Sequence, residues 1–234
     1  MYLADTDTIM QLRDVASLVE RLADAAEVDL PAACVFSNAS PDLLPALDRA
    51  YAARSAHPNA IDFVRLPAAT LRGDNFHMTV GGARVEEQIV PHQRDAAERG
   101  PALPKQEQIG DSAVLIARYG VGTWGHWIGE LLPKAVMVER RYPGRFRYLM
   151  PARIVAQRDP VAVRVTEAFA AYGIEVDRFV PLAPDTEYRC TDLMAITPTW
   201  SDRVPHPAAT TALRALPERD YHRYRVALDR KSVV

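Results

Sequence analysis

A histidine, a glutamate and a lysine stand four residues apart within residues 119–134, which read YGVGTWGHWIGELLPK. Residues four apart share one face of a helix, so His126, Glu130 and Lys134 would form a single stripe. A carboxylate one turn away from an imidazole can orient the ring and raise its basicity. A general base needs those properties to act on a hydroxyl group near neutral pH.

The same spacing also has a purely structural interpretation. His126 would hydrogen-bond locally in the first turn of a helix, and Glu130 with Lys134 would form a solvated ion pair worth about 0.3 kcal/mol. Spacing alone leaves both interpretations open. Pro133 lacks a backbone N–H and clashes with the preceding turn, so we expect the helix to kink or restart there.

A strand, a glycine-rich turn and a helix are predicted to position these side chains. Residues 114–118 form a strand pattern, three glycines follow within six residues, and a helix pattern covers residues 126–141. This order places side chains and free backbone N–H groups at the mouth of an α/β sheet.

The three glycines also match the spacing of a dinucleotide-binding turn. They are Gly120, Gly122 and Gly125. Trp124 would crowd a pyrophosphate, and no acidic residue ends the following strand at the usual distance. We therefore reject a nicotinamide site and expect no cofactor.

Composition narrows the classes of function. The net charge of −2 argues against binding nucleic acid through a general basic field. No apolar run approaches the ~18 residues of a membrane span, and the N-terminus is polar, so neither a span nor a signal peptide is expected. We expect a cytoplasmic protein, with peripheral membrane association left open.

Cysteines and acidic residues give no metal site. Cys34 and Cys190 are far apart and predict thiols in a reducing compartment, with a disulfide as the alternative. Asp5-Thr6-Asp7 resembles an Asp-x-Asp cation motif but lies beside a helix-capping position. We therefore expect no bound metal.

The order of elements predicts an α/β fold in two parts. Residues 1–109 form a helical and short-stranded region: helices at 6–27 and 40–54, a strand at 33–36, and short strands between 60 and 90 with a hairpin at Gly81-Gly82. Residues 93–110 read as a loop.

Residues 110–234 alternate between strands and helices, which predicts a Rossmann-like domain with a mostly parallel sheet. The predicted strands are 114–118, 146–150 with 153–156 as one strand or a split strand, 174–180, 193–197 and 224–228. The predicted helices are 126–141, 159–172 and 207–216.

The motif Gly-His-Trp-x-x-Glu-x-Leu-Pro, at residues 125–133, resembles the hallmark of glycosyltransferase family 61. That family includes bacterial capsular-polysaccharide enzymes and eukaryotic transferases of xylose, arabinose and N-acetylglucosamine. The strands at 63–90 and the basic strand end at 225–231 resemble family segments more loosely. Thr123 or Trp124 stands where the family commonly has Asn, so we assign the role of that Asn to no residue of this chain.

The resemblance covers residues 60–231 and implies the N-terminal, acceptor-side half of a GT-B-type enzyme. Family members continue with a second Rossmann-like half that makes most of the contacts with the nucleotide-sugar donor. The implied activity is transfer of a sugar to a glycan hydroxyl, in surface or capsular polysaccharide synthesis. The alternatives are a non-catalytic half that binds a glycan or a partner, and another small-molecule transferase. Self-association is also expected.

The resemblance implies a role for each site residue. His126, oriented by Glu130, would deprotonate the acceptor hydroxyl for inverting attack, with no metal required. Trp124 and Trp127 would form a platform for a sugar face, with a core position as the alternative for Trp127. The other residues predicted to contact the substrate are Tyr119, Thr123 and Lys134. Arg230 and Lys231 would contact the leaving diphosphate, and the alternative for these two is a solvated basic tail.

Overall fold

The computed structural model describes residues 9–29, 55–73, 77–85, 103–110, 113–117, 124–158, 160–201 and 204–214. The strands are β1 Ile9–Met10, β2 Ser17–Ala23, β3 Val28–Asp29, β4 Ser55–Ala56, β5 Ile61–Arg72, β6 His77–Val80, β7 Ala83–Val85, β8 Lys105–Ile109, β9 Ala113–Leu115, β10 Arg147–Pro151, β11 Phe179–Leu182, β12 Thr186–Ile196, β13 Trp200–Ser201 and β14 Val204–Pro205.

The helices of the described residues are mostly short. They are α1 Leu12–Val15, α2 in three consecutive parts (Trp124–His126, the π-helical Trp127–Leu131 and Leu132–Arg141), α3 Ala152–Val155, α4 Pro160–Ala170, the 3-10 turn Val176–Arg178 and α5 Pro207–Arg214. In this part of the chain no helix has both the length and the apolar character that crossing a bilayer requires.

One mixed sheet organises the fold. Within the described residues it has ten strands in the order β1-β7-β6-β5-β12-β9-β10-β11, with β2 also on β5 and β8 also on β12. The side from β12 to β11 is parallel, as predicted. On the other side β2, β5, β6 and β7 pair antiparallel with one another, and β1 pairs parallel with β7. The chain is therefore an α/β protein with a mixed sheet.

The two longest strands join the antiparallel and parallel sides. β5 and β12 pair from Phe63 opposite Ile196 to Arg72 opposite Glu187. Because β5 belongs to residues 1–109 and β12 to residues 110–234, this pairing crosses the predicted domain boundary. The two predicted parts share one sheet.

Aromatic rings join the helices to the parallel side of the sheet. The rings of Trp127 and Phe169 lie 6.0 Å apart edge to face, and those of Phe169 and Phe179 lie 5.4 Å apart. Such edge-to-face pairs add to the stabilisation from burial alone. They fix α2 against α4 and β11.

Four predicted elements are wrong. The strand predicted at 174–180 begins only at Phe179, because Val176–Arg178 form a 3-10 turn. The helix at 6–27 is replaced over residues 9–27 by β1, α1 and β2, because pairing with β5 outweighs the helical spacing of the leucines and valines. Residues 153–156 were predicted as a strand but lie in α3 and the residue that ends it. The loop predicted at 93–110 contains β8, which pairs with β12 although four of its five side chains are exposed.

Other predictions are confirmed. Gly81 and Gly82 join β6 to β7 with φ of 59° and 87°, which favours glycine at both positions. Helix α4 ends before Gly173, whose φ is 76°. The predicted strands at 33–36 and 224–228, and the helix at 40–54, lie outside the described residues.

Candidate functional site

Helix α2 begins beyond the carboxyl end of β9, an edge where open α/β sheets bind ligands. Strand β9 ends at Leu115 and the first described residue of α2 is Trp124. Trp124 is half-buried and His126 is exposed. Tyr119 and Thr123, together with Arg230 and Lys231, lie outside the described residues.

The predicted helix irregularity is a π-helical turn. The backbone N–H of Leu132 donates to the carbonyl of Trp127, five residues earlier. The α-helical part that follows starts at Leu132, so Pro133 stands in its first turn, where a missing N–H is tolerated. Such π turns are frequent at functional sites.

Trp200, which lies outside α2, donates a hydrogen bond to this π turn. Pro133 has no N–H to give to the carbonyl of Gly129, four residues earlier, and the indole Nε1–H of Trp200 donates to that oxygen instead. The indole lies so close that a Cβ added to Gly129 would come within 2.6 Å of the Trp200 Cζ2 atom. Glycine is therefore required at position 129 by the ring against it.

Glu130 and Lys134 form an ion pair inside the protein. Lys134 Nζ lies 3.1 Å from Glu130 Oε1, and their side chains are only 4% and 3% exposed. The alternative in which this pair is solvated is therefore wrong. Both residues make further interactions. Separating a buried pair is costly because one charge is left uncompensated.

His126 is placed differently from the predicted base. Its side chain is exposed, whereas Glu130 is buried beneath the helix surface. Among the described residues the structure shows no hydrogen bond between His126 and Glu130, whose carboxylate binds Lys134. The predicted orientation of the imidazole by Glu130 is thus absent from this structure.

The two tryptophans of the motif have different positions. Trp127 is 1% exposed and packs on Phe169, so the core alternative is the one the structure shows. A residue so enclosed has no face for a sugar. Trp124 is half-buried, packs against the core and keeps part of its side chain accessible beside His126.

Sequence reasoning missed Trp200. This residue is 37% exposed and starts β13, four residues after the end of β12. A signal was present, since a glycine four residues before a helical proline exposes a carbonyl that needs a donor. Trp200 is 71 positions away in the sequence, so the local pattern could not identify it as the donor to this carbonyl.

In the part of the chain that the structure describes, no three His, Cys, Asp or Glu side chains are grouped to hold a metal ion. Asp5-Thr6-Asp7 lies outside that part. A scan against models of protein families, and searches of characterised proteins and of solved structures, found nothing that matches this chain.

Proposed function

We propose that this chain binds the acceptor in a glycosyltransferase that moves a sugar from a nucleotide-sugar to a glycan hydroxyl, in surface or capsular polysaccharide synthesis. The supporting observation is the exposed His126 on the first turn of α2, beyond the carboxyl end of β9. The Gly-His-Trp-x-x-Glu-x-Leu-Pro motif and the GT-B-type arrangement that it implies are part of this proposal.

In the proposed reaction, His126 accepts the proton of the acceptor hydroxyl. The hydroxyl oxygen attacks the anomeric carbon while the bond from that carbon to the diphosphate oxygen breaks, and the diphosphate leaves with the electron pair. The attack occurs opposite the leaving group and inverts the anomeric centre. Arg230 and Lys231 carry the proposed stabilisation of the leaving charge.

The geometry changes the role we assign to Glu130. Its carboxylate binds Lys134 in the interior, so we propose that the pair holds the π turn in place instead of polarising His126. A fixed turn keeps the imidazole at a constant position relative to the acceptor, and such positioning contributes to the rate by itself.

One observation favours a second candidate, a module that binds glycan without turnover. His126 shows no hydrogen-bonded carboxylate among the described residues, and a general base usually has an orienting partner. The two candidates share the binding surface and differ only in turnover.

His126→Ala tests the proposal, with the exposed His57 mutated to Ala as the matched control. The protein is purified through a tag on this chain from cells that naturally express it and assayed with radiolabelled nucleotide-sugars. We expect transfer to fall by about 10²- to 10⁴-fold in His126→Ala and to stay unchanged in His57→Ala, with equal melting temperatures.

Near-normal transfer by His126→Ala would exclude the histidine as the base. Glycan binding by the unmutated protein without transfer of any sugar tested would establish the second candidate.

A further inference from the structure

Trp200 is held at one edge and accessible elsewhere. Its Nε1–H donates to the Gly129 carbonyl, and its Nε1, Cε2 and Cζ2 atoms are the nearest atoms to a Cβ added at that glycine. Even so, 37% of the residue remains accessible to solvent. An aromatic ring fixed in this way loses little conformational entropy on binding, because its rotamer is already set.

The ring is held on the helix that carries the proposed base. Gly129 follows His126 by three residues, which is less than one turn of the π-helical segment. Trp200 itself follows the carboxyl end of β12, which pairs in parallel with β9. Both residues therefore stand at the edge of the sheet where ligands of α/β proteins bind.

Apart from its one N–H, the indole ring of Trp200 is apolar. The indole has one hydrogen-bond donor, and the Gly129 carbonyl already occupies it. What remains is π surface, which suits the C–H face of a pyranose ring better than a phosphate or a carboxylate. His126, one turn away, supplies the polar group that a hydroxyl on the same ring would meet.

We infer that Trp200 is a stacking platform for a pyranose ring of the acceptor glycan and places that ring against His126. This inference rests on the proposed function. It assigns a ligand class to a residue outside the motif.

The experiment is fluorine NMR of the chain labelled with 5-fluorotryptophan. The chain has three tryptophans, so Trp124→Phe, Trp127→Phe and Trp200→Phe assign the resonances. The probes are the disaccharides xylobiose, cellobiose and maltose. Sorbitol is the control for a polyol without a ring, and UMP tests whether the site binds a nucleotide. We expect at least one disaccharide to shift the Trp200 resonance saturably and to leave that of the buried Trp127 in place.

Measurements of disaccharide affinity and of sugar transfer distinguish the stacking role of Trp200 from the transferase proposal. We expect Trp200→Phe to weaken binding of that disaccharide about three- to tenfold, and His57→Ala, at an exposed histidine outside the proposed site, to preserve it. If the disaccharide shifts Trp200 but no transfer is found, the platform stands and the transferase proposal fails.

Two results would overturn the inference. One is a Trp200 resonance that no disaccharide shifts up to its solubility limit. The other is a resonance that UMP shifts and the disaccharides do not, which would make Trp200 a contact for the nucleobase. Transfer that depends on His126 in either case would leave the transferase proposal intact.

Discussion

Trp200 donates its indole N–H to the carbonyl of Gly129, the carbonyl that Pro133 leaves without its helical donor. One hydrogen bond thus compensates for a proline in α2 and fixes the segment after β12 against the helix. The same contact explains three features of the sequence together: the glycine, the proline and the distant tryptophan. It also makes the π turn a local structure that single substitutions can test.

The contact between Trp200 and Gly129 predicts a reversal of the usual effect of replacing glycine in a helix. Alanine at such a position normally stabilises by about 1 kcal/mol. At position 129 the added Cβ would lie 2.6 Å from Trp200 Cζ2, so we expect Gly129→Ala to destabilise. The expected loss is about 1–3 kcal/mol by urea unfolding.

Gly125→Ala is the matched control, because a Cβ there meets nothing within 4 Å. We expect that variant to be neutral or more stable. A double-mutant cycle with Trp200→Ala isolates the contact, since removing the indole relieves the clash. Equal effects of alanine at the two glycines would show that the ring does not constrain position 129.

Local patterns predicted some elements on each side of the sheet and missed others. Helix α2 and the Gly81-Gly82 hairpin carry strong local signals. Strand β2 does not, because its apolar residues recur at helical intervals and only the partner strand β5 decides the structure. Strand β8 is polar in four of its five residues, and it forms because it pairs with residues 186–190 of β12.

For the site, the sequence predicted which residues stand together on α2 but not which of them are buried. Three- and four-residue spacing placed His126, Glu130 and Lys134 on one helix. The π turn and the packing around it bury the last two and leave His126 exposed. That burial depends on long-range contacts, as does the approach of Trp200.

The buried pair of Glu130 and Lys134 predicts that replacing one partner destabilises the protein strongly, and that replacing both costs less than the sum of the two single replacements. We expect Lys134→Met alone to destabilise by about 3–5 kcal/mol, because the Glu130 carboxylate loses its 3.1 Å partner in the interior. The double variant Glu130→Leu/Lys134→Met should lose less than the sum of the two single variants. Chemical unfolding of all four proteins measures the coupling.

The exposed pair between Arg21 and Asp24 is the control for this cycle. Asp24→Asn should change stability by less than about 1 kcal/mol, as surface pairs do. Additive effects at positions 130 and 134 would mean that the two side chains do not depend on each other.

His77 predicts a dependence of stability on acid. Burial lowers the pKa of its imidazole, and the nearby charges of Arg84 and Arg72 lower it further. The unfolded chain therefore binds this proton more readily, so stability is full above about pH 6.5 and falls as the pH drops below it. We expect His77→Gln to lose less stability than the unmutated protein between about pH 8 and pH 5.

His57→Gln, at an exposed histidine, should keep the acid dependence of the unmutated protein. The measurement is urea unfolding at each pH. An unchanged slope in His77→Gln would show that this imidazole does not titrate differently in the folded state.

Cys190 predicts that the stability of the fold decreases as the pH rises in the alkaline range. Burial raises the pKa of its thiol to about 12, so the folded protein keeps a proton that the unfolded chain releases near pH 9. Stability from this group is present below about pH 9 and is lost at about 1.4 kcal/mol per pH unit above it. Compared with Cys190→Ala, the unmutated protein should therefore lose stability between about pH 8 and pH 10. Chemical unfolding with reductant, in a Cys34→Ser background, measures the difference, and a constant difference across that range would contradict the raised pKa.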